Sequence, residues 1–329
     1  MKRNSSTIIQ SIVAVVLIAT ATFVWFSRTA IQDRILAYTY TPDASIARIH
    51  DRVDFTDNGQ LLFYASQPSV EASETFNAHC QRQEQKSAIL GCYTNRRIFI
   101  YDIENSELDG IQEVTAAHET LHAAWERLST RERDRLGVLL DQVYQRVADD
   151  DLRSRMEYYD RQQPGERANE LHSILATEYL DIGDELEKYF ASYFVDRQNI
   201  VRIHARYNSV FISLQQQSDA LYSELAALSE SIESQSSNYN QLVAELNIDI
   251  DALNELAKSV DRTSASAVNA FNSERQNLIE RSRELEQLRT TLNGLIDSYN
   301  QMRDEYNSIV AHTQELQSSI DSLAPAPSI

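Results

Sequence analysis

A heptad pattern of apolar residues covers the C-terminal part of the chain and limits its fold more than any other feature. Apolar side chains recur at alternating steps of three and four from Tyr207 to Leu256, and again from Leu278 to Leu323. Such a seam is typical of coiled-coil helices. The polar stretch SVDRTSASAVNAFNS, residues 259–273, interrupts the seam. We therefore expect an antiparallel hairpin, with arms of about 60 residues that are each on the order of 90 Å long. One longer helix that dimerises with another chain fits the same periodicity.

An uncharged run near the N-terminus, residues 8–26, predicts a membrane anchor. The run has no Asp, Glu, Lys or Arg, and a helix of roughly this length spans a hydrocarbon core of about 30 Å. Lys2 and Arg3 precede it, so the positive-inside bias places the N-terminus in the cytoplasm and everything after Arg28 outside. A cleaved signal peptide is the alternative, although its apolar region is usually about 7–15 residues long. We expect a single-pass protein of the cell membrane.

The two cysteines of the chain, Cys80 and Cys92, provide a test of that orientation. Two cysteines this close in a chain exported to an oxidising compartment are more often paired than free, so we expect a disulfide. Two buried thiols in a reducing compartment are the alternative, and they would contradict export. Metal binding by this pair is disfavoured, because the spacing is not C-x-x-C and the chain has no second pair.

Composition indicates a helical protein with an acidic surface. Of the 329 residues only seven are glycine and five are proline, and the apolar content of 42% is enough for a substantial core. The formal net charge is −19. Binding to nucleic acid requires clustered Lys and Arg on one surface, and no such cluster is present. We therefore expect no nucleic-acid partner.

Cap and turn signals predict a short helix and a hairpin between the anchor and the coiled coil. In TPDASIARIHDRV, Asp43 precedes apolar residues at helical spacing, which predicts the N-cap of a helix. The runs LLFYAS, residues 61–66, and RIFIYDI, residues 97–103, have the β-branched and aromatic residues typical of strands. YTNRR, at the start of the second run, supplies turn chemistry for a hairpin. From Gly110 onward the apolar spacing is helical.

The strongest chemical signal is the pentad HETLH, in which His118 and His122 are four residues apart and Glu119 follows the first. A helix brings residues i and i+4 onto one face, so both imidazoles can reach one metal ion, with Glu119 beside a bound water. The residues around the pentad are uncharged from Val114 to Ala124. This helix face should therefore be buried, where two histidines and a glutamate are costly without a partner. Two ordinary histidines on an amphipathic helix are the alternative.

At these residues the chain resembles the zincin metallopeptidases, whose motif reads HETLH here. The extension typical of metzincins is absent, since AAWERLSTRE after the pentad has neither the glycine nor the third histidine. Residues 166–180, ERANELHSILATEYL, look like the gluzincin arrangement, in which an Asn-Glu pair opens a later helix and the Glu is the third ligand. The resemblance implies that Glu170 is that ligand. The sequence departs from the pattern at Ile174, where a supporting aspartate would stand.

The third ligand stays open, although catalytic zinc needs three protein ligands and one open position. Glu178 lies two turns after Glu170 on the same face and is the alternative, and His172 is a weaker one. Asn169 as a simple helix cap, with these glutamates on a solvated face, is also compatible. The resemblance further implies that the strand at 97–103 runs beside the active-site helix and takes an extended peptide by strand addition. An ordinary core hairpin is equally compatible with that strand.

The sequence thus predicts an α+β, mostly helical protein, in which a small zincin-like domain with a short sheet lies between an N-terminal transmembrane helix and a C-terminal antiparallel coiled-coil hairpin. The predicted parts are a cytoplasmic tip and anchor at 1–28, a linker and short helix at 29–60, the zincin-like domain at 61–198, the coiled coil at 199–323 and a tail at 324–329.

We expect a membrane-anchored, extracytoplasmic, zinc-dependent peptidase that acts on a peptide or protein substrate. In this mechanism a metal-activated water attacks the peptide carbonyl and Glu119 is the general base. The alternative is a structural or adaptor protein, in which the coiled coil is the functional part and the zincin-like domain is inactive. In either case the coiled coil offers a surface for a protein partner or for self-association.

Overall fold

Helices make up most of the protein, and its computed structural model describes residues 3–80 and 88–324. The helices are α1 (Arg3–Thr39), α2 (Ala44–Val53), α3 (Asp57–Ala65), α4 (Ser73–His79), α5 (Ile111–Arg127), α6 (Thr130–Val147), α7 (Asp150–Gln162), α8 (Arg167–Glu178), α9 (Asp184–Phe190), α10 (Arg197–Ser259) and α11 (Ala265–Ile320). The strands are β1 (Ser69–Glu71), β2 (Gly91–Thr94) and β3 (Arg97–Tyr101). A mostly helical protein with one small sheet is therefore confirmed. Apart from Ala324, the predicted tail lies outside the described residues.

The first helix, α1, continues without a break from Arg3 to Thr39. It contains residues 8–26, the predicted anchor, most of whose side chains lie outside those that the structure describes. Within the described part of the chain, no helix is both long enough and apolar enough to cross a membrane. The anchor therefore stays a prediction.

The helix predicted after Asp43 is present as α2. The side chain of Asp43 accepts a hydrogen bond from the backbone N–H of Ile46 at 2.9 Å, which satisfies one of the donors left free at a helix start. Ile46, Ile49 and Val53 are buried on one face of the helix. The prediction from cap and spacing is confirmed.

The strand predicted at 61–66 is wrong, because these residues end helix α3. Thr56 caps that helix by accepting a hydrogen bond from the backbone N–H of Gly59. Leu62 and Phe63 are then buried in the core. Gly59 lies so close to a neighbouring segment that a Cβ there would be 2.1 Å from the carbonyl oxygen of Tyr193. Cap chemistry and close packing therefore outweigh the strand preference of the aromatic residues.

The sheet has the order β1-β3-β2, so β3 is its central strand. β1 runs parallel to β3, whereas β2 runs antiparallel to it with Cys92 opposite Phe99. Asn95 and Arg96 join β2 to β3 and have φ values of 50° and 62°. Two central residues with positive φ are the signature of the two-residue type I′ turn. The predicted turn and the strand after it are thus confirmed, although neither β1 nor β2 was predicted as a strand.

A disulfide joins Cys80, which follows α4, to Cys92 on β2. The predicted pairing is confirmed. Cys80 packs in a small buried cluster with Phe76, Phe99 and Tyr101. The bond therefore ties the strand β2 to the core on the α4 side of the sheet.

Helix α5 is central to the domain that contains it. It packs against β2 and β3 of the sheet and against the helices α2, α3 and α8. Most of its residues from Ile111 to Trp125 are buried. A helix that is buried on nearly all sides is a core helix, which agrees with the uncharged sequence around the pentad.

Contacts divide the chain into two compact units, and residues 211–315 form the second. Within this unit α10 pairs with α11: the rings of Tyr222 and Tyr306 are 6.5 Å apart, and Asp249 accepts a hydrogen bond from Arg281 at 2.6 Å. Tyr222 lies before Asp249 on α10, whereas its partner Tyr306 lies after Arg281 on α11. The two helices are therefore antiparallel. The structure therefore has the hairpin arrangement within one chain.

Candidate metal centre

The pentad lies on α5 as predicted, with its histidines on one face of the helix. The rings of His118 and His122 are 4.8 Å apart. The ligand atoms of His118, Glu119 and His122 all lie within 4.8 Å of one another. Their side chains are largely buried, since 21% of His118 and 12% of His122 is exposed. This cluster could hold a metal ion.

Helix α8 brings Glu170 to both histidines. One carboxylate oxygen of Glu170 is 3.8 Å from Nε2 of His118, and the other is 3.7 Å from Nε2 of His122. Atoms that share a tetrahedral zinc at about 2.1 Å lie roughly 3.4 Å apart, by simple trigonometry on these bond lengths. The observed distances are within a few tenths of an ångström of that value. The residues present therefore fit a metal with N and O ligands, while the role of Glu170 as a ligand stays a prediction.

The two other candidates for the third ligand have different partners. Both oxygens of Glu178 accept hydrogen bonds from the guanidinium of Arg155, at 2.9 and 2.7 Å. His172 is fully buried, and its Nε2 is 3.0 Å from the hydroxyl of Tyr189. His172 also packs against the ring of Trp125. Of the three candidates, only Glu170 has its acceptor atoms next to the histidine pair.

Two residues outside the predicted ligand set support the cluster, and one of them, Asn169, lies inside α8 and is not its cap. Nδ1–H of His122 donates to the side-chain oxygen of Asn169 at 2.9 Å, which leaves Nε2 free on the side of Glu170. Such a bond fixes the tautomer and orientation of a metal-binding histidine. Tyr159 donates a hydrogen bond to the carboxylate of Glu170. Asn169 is part of the Asn-Glu pair in the sequence, but Tyr159 comes from α7 and carries no local signal.

Burial controls the protonation of the cluster. Burial, aided by the neighbouring His122, holds the pKa of His118 well below its usual value, so this imidazole stays neutral. Burial also lowers the pKa of His122, but the carboxylates of Glu170 and Glu119 outweigh it, and the net shift is upward. Burial raises the pKa of Glu119 to about 7 and also raises that of Glu170. Two desolvated carboxyl groups beside a neutral imidazole are an environment in which a divalent cation is strongly favoured.

Glu119 lies against the strand β2. Its carboxylate accepts a hydrogen bond from the backbone N–H of Tyr93. A Cβ at position 91 would be 2.5 Å from Cγ2 of Thr115 and 3.1 Å from Cγ of Glu119, so Gly91 allows the strand to reach the helix. The strand at 97–103 packs beside α5, but it is not the edge that strand addition requires, so its alternative as an ordinary core hairpin holds. It forms β3, which is paired on both sides, whereas β2 is the edge strand beside Glu119.

A cavity of about 970 Å³ opens next to His122, between α5, α6 and α8. Tyr93, Trp125 and Asn169 form part of its wall. The acidic side chains that line it are Glu126, Asp134, Asp141 and Glu166, and the basic one is Arg133. The cluster that could hold a metal ion therefore borders this cavity through His122.

Comparisons with known proteins gave no relative. No protein-family model matches the chain, and neither a curated protein nor a solved structure does. The likeness to zincins thus rests on the pentad and on the contacts around it. The structure shows a mostly helical protein with a His-Glu-x-x-His cluster, and this cluster could bind a metal ion.

Proposed function

We propose that the protein is a zinc-dependent peptidase of the zincin type. The observation that carries this proposal is the convergence of His118, His122 and Glu170, with Glu119 beside them. Two imidazoles and one carboxylate are the ligand set of many catalytic zinc sites, which keep a fourth position open. Structural zinc sites instead use four protein ligands, with cysteine prominent among them. Both cysteines of this chain are in the disulfide.

The chemistry divides between the metal and the protein. When bound, zinc lowers the pKa of a water molecule and polarises the substrate carbonyl. Glu119 takes a proton from the attacking water and gives it to the leaving amine. Burial raises the pKa of the Glu119 carboxyl in the metal-free protein to about 7, which makes it a stronger proton acceptor than an exposed glutamate. Asn169 binds Nδ1 of His122 and so holds the ring with the other nitrogen, Nε2, directed towards the metal position.

An extended peptide is the substrate that this site favours. Thr94 and Arg97 flank the two-residue turn, and Cys92 faces Phe99. In such a hairpin these pairs exchange the main-chain hydrogen bonds, so Gly91 and Tyr93 direct their main-chain groups to the outer side of β2. Within the described part of the chain no strand pairs with that side. A peptide added there would run past Glu119 and bind the outward main-chain groups of Gly91 and the carbonyl of Tyr93, since the N–H of Tyr93 donates to Glu119. Such main-chain bonds depend little on sequence.

We further propose that the enzyme is anchored in the cell membrane through residues 8–26, with the catalytic domain outside. The uncharged sequence of that run and the preceding Lys2 and Arg3 support this topology. The disulfide also supports it, since disulfides persist in oxidising compartments. The α10–α11 hairpin offers a long surface for a protein partner or for self-association.

The substitution Glu119→Gln tests the mechanism. It should leave one zinc per chain and lower the rate of peptide cleavage by about 10²–10⁴-fold, because it removes only the proton acceptor. The control His122→Ala should lose both zinc and cleavage. Zinc content by atomic emission and cleavage of a mixed peptide library provide the two measurements.

Unchanged turnover in Glu119→Gln would refute the mechanism. Zinc binding by the parent protein without cleavage of any peptide would instead favour the alternative function, a structural or adaptor protein. The hairpin would then be the functional part of the molecule.

A further inference from the structure

Resting on this proposed function, we propose that Asp33 of the N-terminal helix α1 is a positioning residue for the catalytic site. It acts through Arg96 and Arg127 on Tyr93, and through Tyr93 on Glu119. Helix α1 is then part of the catalytic unit and does more than connect the domain to a membrane.

The first link is an ion cluster around the buried carboxylate of Asp33. Asp33 is only 4% exposed and is the one acidic residue in α1. Its carboxylate accepts hydrogen bonds from Nη2 of Arg96 at 2.7 Å and from Nε and Nη2 of Arg127 at 2.8 and 2.9 Å. Paired guanidinium donors of this kind fix position as well as charge. Removal of one member of a buried cluster leaves the others uncompensated, so their positions depend on Asp33.

The second link joins those arginines to the site. Arg127 is the last residue of α5, the helix that carries the pentad, and Arg96 is in the turn between β2 and β3. Nη1 of Arg127 also donates to the hydroxyl of Tyr93 at 3.1 Å and to the carbonyl oxygen of Ala123 at 2.6 Å. Asp33 thus holds the end of the active-site helix and the end of the hairpin in one cluster.

The third link is Tyr93 itself. Its hydroxyl donates a hydrogen bond to Glu126 on α5, while its backbone N–H donates to the carboxylate of Glu119. β2 has only four residues and is an edge strand, so its side-chain bonds to α5 matter for its position. Without Asp33, both arginines would be drawn towards Glu126, which lies 3.6 Å from Arg96 and 3.9 Å from Arg127. The bonds of the Tyr93 hydroxyl would then be disturbed.

The substitution Asp33→Asn in the full-length protein tests this series of contacts. Hydrogen exchange at the amide of Tyr93, measured in metal-free protein by mass spectrometry with residue-level fragmentation, reports the position of β2 directly. We expect exchange there to become faster by about tenfold, the size set by loss of a hydrogen bond to a charged group. Asp109→Asn is the control for loss of a bidentate arginine pair near the other end of α5, because it removes the partner of Arg52, whose further contact among the described residues is Glu113 on α5. The control should leave exchange at Tyr93 unchanged.

A double-mutant cycle with Tyr93→Phe separates positioning from general stability. We expect Asp33→Asn to lower kcat/KM by about tenfold while one zinc remains bound, and the further change Tyr93→Phe to add little, since both act on one pathway. Asp109→Asn combined with Tyr93→Phe should show independent effects. Additive effects of Asp33→Asn and Tyr93→Phe would overturn the proposal.

The prediction on hydrogen exchange and the prediction on catalysis can be refuted separately. Unchanged exchange at Tyr93 in Asp33→Asn overturns the positioning role, whether or not the protein cleaves peptides. Faster exchange in a parent protein that cleaves nothing supports the contact pathway and refutes only the peptidase. If Asp33→Asn does not fold, Tyr93→Phe removes a single hydroxyl, and unchanged exchange at the amide of position 93 in that variant overturns the proposal.

Discussion

The choice between two glutamates on one helix gives the sharpest test of the metal centre. Glu170 and Glu178 both lie on α8, and each can be changed to glutamine with the loss of one charge and almost no change in volume. The carboxylate oxygens of Glu170 are 3.8 and 3.7 Å from Nε2 of His118 and His122. Those of Glu178 are held by Arg155 at 2.9 and 2.7 Å. Only the first substitution removes an anionic group from the cluster.

The expected magnitude follows from what each substitution removes. Changing a residue that merely supports a ligand costs about 10–100-fold in metal affinity, so loss of a ligand itself should cost at least about 100-fold, or roughly 2.7 kcal/mol. We therefore expect at least that loss for Glu170→Gln. For Glu178→Gln we expect a smaller loss than for Glu170→Gln, because it removes no ligand and acts only through the charge of Arg155, which reaches His118 and Glu170.

Competition of each variant with a chromogenic zinc chelator at pH 7 measures these affinities. Circular dichroism of the metal-free variants controls for unfolding, which matters most for Glu178→Gln because it leaves Arg155 without its bidentate partner. Equal losses in the two variants, or a larger loss in Glu178→Gln, would refute the assignment of Glu170 as the third ligand.

Three further predictions concern stability and architecture. Burial lowers the pKa of His172 to about 3, whereas in the unfolded chain it is about 6.5, so the unfolded state binds the extra proton and stability falls as the pH drops below about 6.5. The parent should lose about 2–3 kcal/mol more than His172→Phe between pH 7.5 and 4.5, measured by urea unfolding. Replacing Cys80 and Cys92 by alanine should cost about 3 kcal/mol in the same assay, the loop-closure value for a loop of this length, and no loss would contradict a stabilising role. Tyr222→Cys with Tyr306→Cys should be joined within one chain by a flexible bis-maleimide, since the two rings are 6.5 Å apart, and a product of twice the mass on a denaturing gel would indicate pairing between chains.

Sequence was sufficient where the cause of a structure is local. The cap at Asp43 is a contact over three residues, and the turn at Asn95 and Arg96 needs only two residues that accept positive φ. The same reasoning failed for α3, where the aromatic run predicted a strand. The cap at Thr56 was a local signal that could have been used, but the close contact between Gly59 and Tyr193 joins segments far apart in the sequence. The spacing of residues 61–66 gives no indication of that contact.

The residues of the site also differ in whether local sequence determines their position. His118, Glu119 and His122 are set by one turn of helix, so the spacing alone brought them together. Glu170 was selected only by resemblance, since its distance from the histidines depends on how α8 packs against α5. The supporting hydrogen bond from Tyr159 depends on a third helix, α7, and no pattern in the sequence carries it.

The strand beside the site shows why topology decides what a sequence pattern can mean. The run at 97–103 has the stronger strand signal, and that strength comes from burial on both faces: Ile98, Phe99 and Ile100 are at most 3% exposed. A strand buried in this way is a central one, and its main-chain groups are used by β1 and β2. The weaker pattern of β2, with Gly91 at its start, belongs to the edge that approaches Glu119. Binding by strand addition requires an edge, so the strand with the poorer sequence signal is the one that can serve a substrate.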